Sequence, residues 1–415
     1  MRLITEESHA LPVVDLDVVF PGGLASEPEG LDGLTSQALG LCRRGAGARR
    51  KAELDEAVDG LGGSLDVGVT ADAASLTVRC LADALEPMLE LVADVVARPR
   101  LEEEEHERLR RETLAMLDEV RDDDATLCGR HFDRIVMAGH PYGRSPLGTE
   151  ATLSRLTVDD VRRWRERHLD PARMVVGFAG PLSAERARAL AERTFPALAG
   201  TSAPTVFPEP PRPASRRTFI VDKPARTQSQ VMIGHPMPPT SHPDTLALAV
   251  AATCMGGTFS SRLMKEVRVK RGWSYGVSFR TFRSAAGHSL RIRMAPAAEQ
   301  TAPALDLVLS LWQEAKDLGL SAEEIEHARS YLDGTFGFEI ATPADRLHRR
   351  TDQHVLGLAE NHDKTFRARL AALSVDDVNA AARRHWRPET ATVVLTATAE
   401  EMALEGAEVI QFDAY

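Results

Sequence analysis

The sequence repeats itself once. Leu156-Thr157-Val158-Asp159-Asp160-Val161, leading to His168 and Pro171, returns as Leu373-Ser374-Val375-Asp376-Asp377-Val378, leading to His385 and Pro388, at a constant offset of 217 residues. In each copy a Thr or Ser stands three positions before an Asp, a pairing that satisfies the first free N–H groups of a helix. That helix then runs to a Pro that opens a β-rich segment, 174–179 in one copy and 390–396 in the other. Such a repeat, spanning a chain of 415 residues, implies two copies of one domain. Prolines at 196, 204, 208, 210, 211 and 213 are too dense for a helix interior or a central strand and mark the connection between the copies. The expected organisation is a first domain over 1–200, a Pro-rich linker over 201–217 and a second domain over 218–415.

Strand-like runs at 13–20, 75–80, 219–222, 230–234 and 290–294 alternate with long helical patterns. Each copy therefore reads as α+β, a mixed sheet with helices packed on one face. His168 and His385 hold equivalent repeat positions without an accompanying carboxylate pattern, and a structural role is expected for both. The acidic runs 102–105 and 122–124 read as solvated helix surface.

Composition narrows the possible partners. Fifty Lys and Arg against 61 Asp and Glu leave a net charge of −11, which repels phosphate backbones and anionic membrane surfaces, so neither nucleic acid nor membrane is expected as a partner. The longest apolar stretch, 246–255, falls well short of the roughly 20 residues that span a bilayer. Glu6 and Glu7 stand where a secretory signal carries cationic and apolar segments. Cys42, Cys80, Cys128 and Cys254 form no Cys-x-x-Cys pair, so reduced, buried thiols and a cytoplasmic location are expected.

The segment Gly33-Leu34-Thr35-Ser36-Gln37-Ala38-Leu39-Gly40-Leu41-Cys42-Arg43-Arg44-Gly45 resembles the signature helix of the pitrilysin/insulinase family of zinc peptidases. That helix carries His-x-x-Glu-His, with two imidazoles on one face to hold zinc and a carboxylate as general base toward the bound water. Here the three positions hold Ser36, Leu39 and Gly40, so both nitrogen ligands and the base are missing. Glu119, in Leu117-Asp118-Glu119-Val120-Arg121, resembles the family's third ligand, but one carboxylate cannot hold the ion, and an exposed helical Glu is expected. Gly139-His140-Pro141-Tyr142-Gly143-Arg144 is similar to the stretch that follows it in the family, with His140 read as positional. Neither His-Glu-x-x-His nor His-x-x-Glu-His spacing occurs among the thirteen histidines, and no metal ligand is assigned to this chain.

The second half carries Gly256-Gly257-Thr258-Phe259-Ser260-Ser261-Arg262-Leu263, then Val267-Arg268-Val269-Lys270-Arg271-Gly272-Trp273-Ser274-Tyr275-Gly276. This looks like the family's C-terminal Arg/Tyr motif, whose paired residues contact the substrate carbonyl. Arg268 and Tyr275 match that pair and are the expected catalytic and substrate-binding residues. A guanidinium and a phenol O–H are both donors and can stabilise negative charge on a tetrahedral intermediate. Gly272 is expected to end the helix in a left-handed cap so that Tyr275 opens the next strand. The double glycine lacks the Lys-Ser/Thr ending of a nucleotide loop and reads as a turn that lets peptide pass closely.

By resemblance, such a chain has two α+β domains forming half of a clamshell around unfolded peptide. The implied role is the zinc-free subunit of a heterodimeric metallopeptidase. A homologous partner with an intact His-x-x-Glu-His helix supplies the zinc, and an unstructured peptide is the substrate. The alternative is a non-catalytic scaffold like the core subunits of respiratory complexes that resemble this family. An autonomous peptidase is disfavoured by the missing nitrogen ligands.

Overall fold

The computed structural model describes residues 1–195, 207–287, 289–402 and 404–412, so part of the expected linker, 201–206, lies outside the described residues. The elements that position the candidate sites in the first half are β1 (Arg2–Glu7), β2 (Val13–Pro21), α1 (Leu34–Cys42), β3 (Ser64–Val69), β4 (Ala73–Leu81), α2 (Leu85–Ala97), α3 (Glu103–Asp122), α4 (Asp124–Val136), α5 (Val158–His168) and β5 (Val175–Gly180). In the second half they are β6 (Arg217–Asp222), β7 (Gln230–Pro236), α6 (Thr245–Gly256), β8 (Ser274–Thr281), β9 (Ser289–Pro296), α7 (Thr301–Leu318), α8 (Ala322–Glu339), α9 (Pro343–Val355), α10 (Val375–His385), β10 (Thr392–Ala397) and β11 (Glu408–Gln411).

The duplication is visible in the strand order. One sheet runs β1-β5-β2-β4-β3, with β1 and β5 parallel and the other neighbours antiparallel. The other runs β6-β10-β7-β9-β8 with the same directions, and β11 adds outside β6 in parallel. Shifted by 217 residues, α5 and β5 land on α10 and β10. Both helices open with the expected reciprocal caps, Thr157 with Asp160 and Ser374 with Asp377. The structure is thus α+β, two mixed sheets with helices.

The compact units do not follow the two halves of the sequence. The first comprises Met1–Leu117, Arg144–Phe207 and Gly337–Glu360, and the second comprises Asp118–Gly143, Pro208–Phe336 and Asn361–Tyr415. Each unit has therefore exchanged a helix with the other half of the chain: α9 belongs to the first and α4 to the second. The reason lies in the strands. On β2, Val14, Leu16, Val18 and Phe20 point into the main core with α1 and α2, while Val19 points the other way and joins Ile4, Val175, Ala179 and Leu347 of α9. Period-two alternation with apolar residues on both faces leaves a second surface that needs a cover. The main helical layer packs on one face as expected, and the exchanged helix closes the other. Gly177 on β5 makes room for it, since a Cβ there would collide with Leu347. In the second unit a Cβ on Gly234 of β7 would first strike the Leu290 carbonyl of β9, and Phe132 of α4 packs 3.0 Å from the same point.

Charge fixes both exchanged helices. On α4, Asp133 meets Arg291 of β9 at 2.6 Å, and Asp124 meets the buried Lys223 at 2.6 Å and Arg226 at 2.9 Å. On α9, Arg346 and Arg350 reach Glu6 of β1 at 3.2 and 2.7 Å. His348 Nδ1 lies 2.6 Å from Asp17 Oδ2, buried on β2, and the Thr351 hydroxyl reaches the same oxygen at 3.4 Å. The bond to Asp17, with Asp15 and Asp345 nearby, raises the His348 pKa above its ordinary value against the opposing effect of burial. A His held above its unfolded pKa of about 6.5 contributes stability that is complete below that value and is lost as pH rises through the folded pKa. His348→Gln should therefore lower the melting temperature by about 2 °C at pH 5.5, the scale of a half-exposed ion pair, and by less at pH 8.5. A difference that stays constant across that range in thermal scans rules out the charged pair.

Candidate functional site

The helix expected to match a zinc-binding element, α1, is built for packing. Glu27 caps it, accepting hydrogen bonds from Gly33 N–H at 3.1 Å and Thr35 N–H at 2.8 Å, while burial pushes its carboxyl up to about 7. Gln37 donates to Thr113 of α3 at 2.8 Å. Leu39 is 0% exposed within the main core, and a Cβ on Gly40 would stand 3.1 Å from Leu109 Cδ2 of the same α3. Ser36 is half-buried and Glu119 is exposed.

The repeat histidines differ in surroundings: His385 does have a carboxylate beside it, its ligand atom lying within 4.8 Å of those of His242 and Asp244. His385 Nε2 bonds Asp244 Oδ2 at 2.8 Å, an oxygen that also takes Arg384, while the His168 ring lies 5.5 Å from Trp164 with its pKa lowered to about 4 by burial. His140 is positional: its Nδ1 accepts from Tyr142 N–H at 3.1 Å, and the Tyr142 hydroxyl accepts from Ala286 N–H at 3.1 Å. All four cysteines are free and buried, and burial pushes the thiols of Cys42, Cys128 and Cys254 up to about 12 and that of Cys80 up to about 11.

Arg268 and Tyr275 are brought together. Arg268 lies in a π-helical turn, Met264–Val269, a widened geometry that recurs at functional sites. Gly272 then takes φ +66°, and Gly272 N–H and Trp273 N–H close on the carbonyls of Arg268 and Val267 at 2.9 and 3.1 Å, the left-handed cap expected from the sequence. The chain next enters β8, whose register against β9 shifts between Ser274 and Val277. Ser274 holds this bulge by donating to the Gly276 carbonyl at 2.7 Å and accepting from Ala295 N–H at 3.0 Å. A bulge redirects the side chain at its apex, and Tyr275 stands out at 87% exposure.

The Arg268 guanidinium carbon sits 4.5 Å from the centre of the Tyr275 ring and 4.7 Å from that of Phe259. Lys270 and Arg271 are tied to Glu266 at 2.6 and 2.7 Å, whereas Arg268 makes no side-chain hydrogen bond or ion pair among the described residues. A cation held on ring faces with its N–H edges unspent is suited to receive a carbonyl oxygen or an oxyanion. The double glycine before this turn serves packing, which corrects its reading as a peptide passage: a Cβ on Gly256 would strike the backbone of Phe279, and one on Gly257 would strike Thr253. Phe259 was not singled out from sequence, although a large apolar residue in a Gly- and Ser-rich turn is the signal that could have marked it.

Residues 2–150 match the model of the insulinase peptidase family, M16, and residues 155–332 match that of the M16 peptidase inactive domain. The chain belongs to peptidase family M16. An uncharacterised zinc protease of Streptomyces coelicolor is 25% identical over 390 residues, covering 92% of this chain and 84% of the relative. A non-peptidase homologue from Helicobacter pylori is 23% identical over 390 residues, covering 92% and 88%. The crystal structure of an M16 inactive domain from Pseudomonas fluorescens superposes with a TM-score of 0.88 at 22% identity, covering 99% of this chain and 96% of that one.

The zinc of M16 peptidases does not fit α1 here. Leu39 is sealed in the core, Leu109 fills the space beside Gly40, and Ser36 alone offers an oxygen. This is an M16 protein of the inactive type. Among the described residues no helix is long and apolar enough to cross a membrane. Restoring the family's carboxylate should be damaging, because Leu39→Glu places an unpaired charge among apolar side chains. A loss of about 2–5 kcal/mol in urea unfolding is expected, against less than about 1 kcal/mol for Ser36→His at its half-buried position. Equal effects of the two changes count against this account of α1.

Proposed function

We propose that this chain is the zinc-free subunit of a two-chain metallopeptidase that hydrolyses unstructured peptides in the cytoplasm. Its partner is a homologous M16 subunit with an intact His-x-x-Glu-His helix. The supporting observation is the Arg268 guanidinium, without an ion pair among the described residues, beside the outward-turned Tyr275. A half-buried arginine held on ring faces, with no hydrogen bond or ion pair among the described residues, keeps its N–H donors available to an incoming oxygen.

The partner's zinc would supply the activated water. This chain's residues act on the carbonyl under attack. Arg268 donates from its guanidinium edge and Tyr275 from its phenol, so two donors converge on the oxygen that gains charge as the carbon becomes tetrahedral. Donors fixed before the reaction need no reorganisation as that charge develops, and they stabilise the transition state more than the planar substrate.

A scaffold role is the second reading. It is favoured by the name of the Helicobacter pylori relative, a non-peptidase homologue, and by the absence of ligand chemistry on α1. A retained donor pair favours the shared site. The two readings separate on a peptide-cleavage assay of this chain mixed with its partner: chelator-sensitive cleavage by the mixture, and none by this chain alone, is expected. Arg268→Ala and Tyr275→Phe should assemble normally and cleave about 100-fold more slowly or worse. Full turnover in both variants defeats the assignment.

A further inference from the structure

We infer that Phe259 is a positioning residue, one wall of an aromatic clamp that, with Tyr275, holds the Arg268 guanidinium where the substrate oxygen arrives. The inference rests on the shared-site reading and adds a residue to it. Arginine has a long side chain with substantial rotamer freedom, and the half-buried Arg268 has many positions open to it unless something holds its end. Arg268 lacks any hydrogen bond or ion pair among the described residues that would fix its end. What fixes it is the pair of rings, at 4.7 Å for Phe259 and 4.5 Å for Tyr275. Ring faces hold a guanidinium through its plane and leave the in-plane N–H groups free to donate, so the clamp orients the cation without consuming its donors.

Phe259 itself is 63% exposed and belongs to neither main core, so packing does not account for its position. The turn that carries it is pinned by other contacts. Ser260 Oγ bonds His327 Nε2 of α8 at 2.7 Å, Ser261 Oγ bonds the Thr258 carbonyl at 2.6 Å, and Arg262 makes a two-pronged pair with Glu324 at 2.8 and 2.7 Å. With its backbone held this way, Phe259 can be replaced without unravelling the turn, and the effect of replacement reads on Arg268.

The test has two arms. In the isolated full chain, the Arg268 guanidinium resonances, assigned with Arg268→Lys, should show ring-current displacement in the wild type. They should move toward ordinary arginine values in Phe259→Leu and stay displaced in Phe259→Tyr, with melting temperatures unchanged. Unmoved resonances in Phe259→Leu overturn the clamp. In the assembled two-chain peptidase acting on an unstructured peptide, Phe259→Leu should lower kcat roughly two- to fivefold with little change in KM, the size of an exposed cation–π contact, and Phe259→Tyr should restore it. A raised KM with unchanged kcat makes Phe259 a peptide contact and overturns the positioning role. So does unchanged turnover in Phe259→Leu while Arg268→Ala is slow. Full turnover in Arg268→Ala defeats the shared-site reading itself, whatever the resonances show.

Discussion

The second apolar face of each sheet governs the rest of this structure. Val19, Ile4, Val175 and Ala179 in one unit cannot be reached by the helices that pack against Val18 and Phe178, because neighbouring strand residues point to opposite sides. Each sheet needs a further helix, and each obtains it from the other half of the sequence. Gly177 is required by that arrangement, since the atoms nearest a Cβ there belong to Leu347 and Thr351 of α9. Ion pairs to Glu6, Asp17, Asp124 and Asp133 then select one docking register for helices whose apolar contacts alone would tolerate sliding.

Against that framework the Arg/Tyr element is local engineering on a sheet edge. A widened helical turn, a left-handed glycine and a strand bulge follow one another between Met264 and Val277, each placing its neighbour. The outcome is a cation held on two rings with no ion pair among the described residues, while the nearby Lys270 and Arg271 are both paired. The helix α1 shows the opposite economy. Where an M16 peptidase keeps polar ligands, this chain has drawn Leu39 into the core and closed the gap at Gly40 with Leu109, so packing has displaced chemistry.

Much of this was legible in the residues. The 217-residue offset foretold both the common strand order and the matched α5/β5 and α10/β10 pairs, because capping boxes and strand-opening prolines are local signals. Gly272 was legible for the same reason, a positive φ being a backbone demand that one residue type meets. The exchange was not, since the amphipathic pattern of α4 or α9 says that one face is buried and nothing about which sheet buries it. For the same reason the expected boundary near residue 200 divides the sequence and not the compact units. The double glycine misled because its close neighbours, Phe279 and Thr253, are set by tertiary packing. Phe259 escaped notice because a ring-face contact leaves no spacing rule in the chain.

The exchange also sets an order of assembly during synthesis. The first sheet has all five strands once β5 has emerged, but its outer face stays wet until α9 follows some 175 residues later. At ~5–20 residues per second that is a delay of roughly 10–35 s, during which a nascent chain carries an uncovered apolar surface off the ribosome. Holding chaperones have their opportunity in that interval, and α4, made early and destined for a sheet not yet translated, waits through it as well.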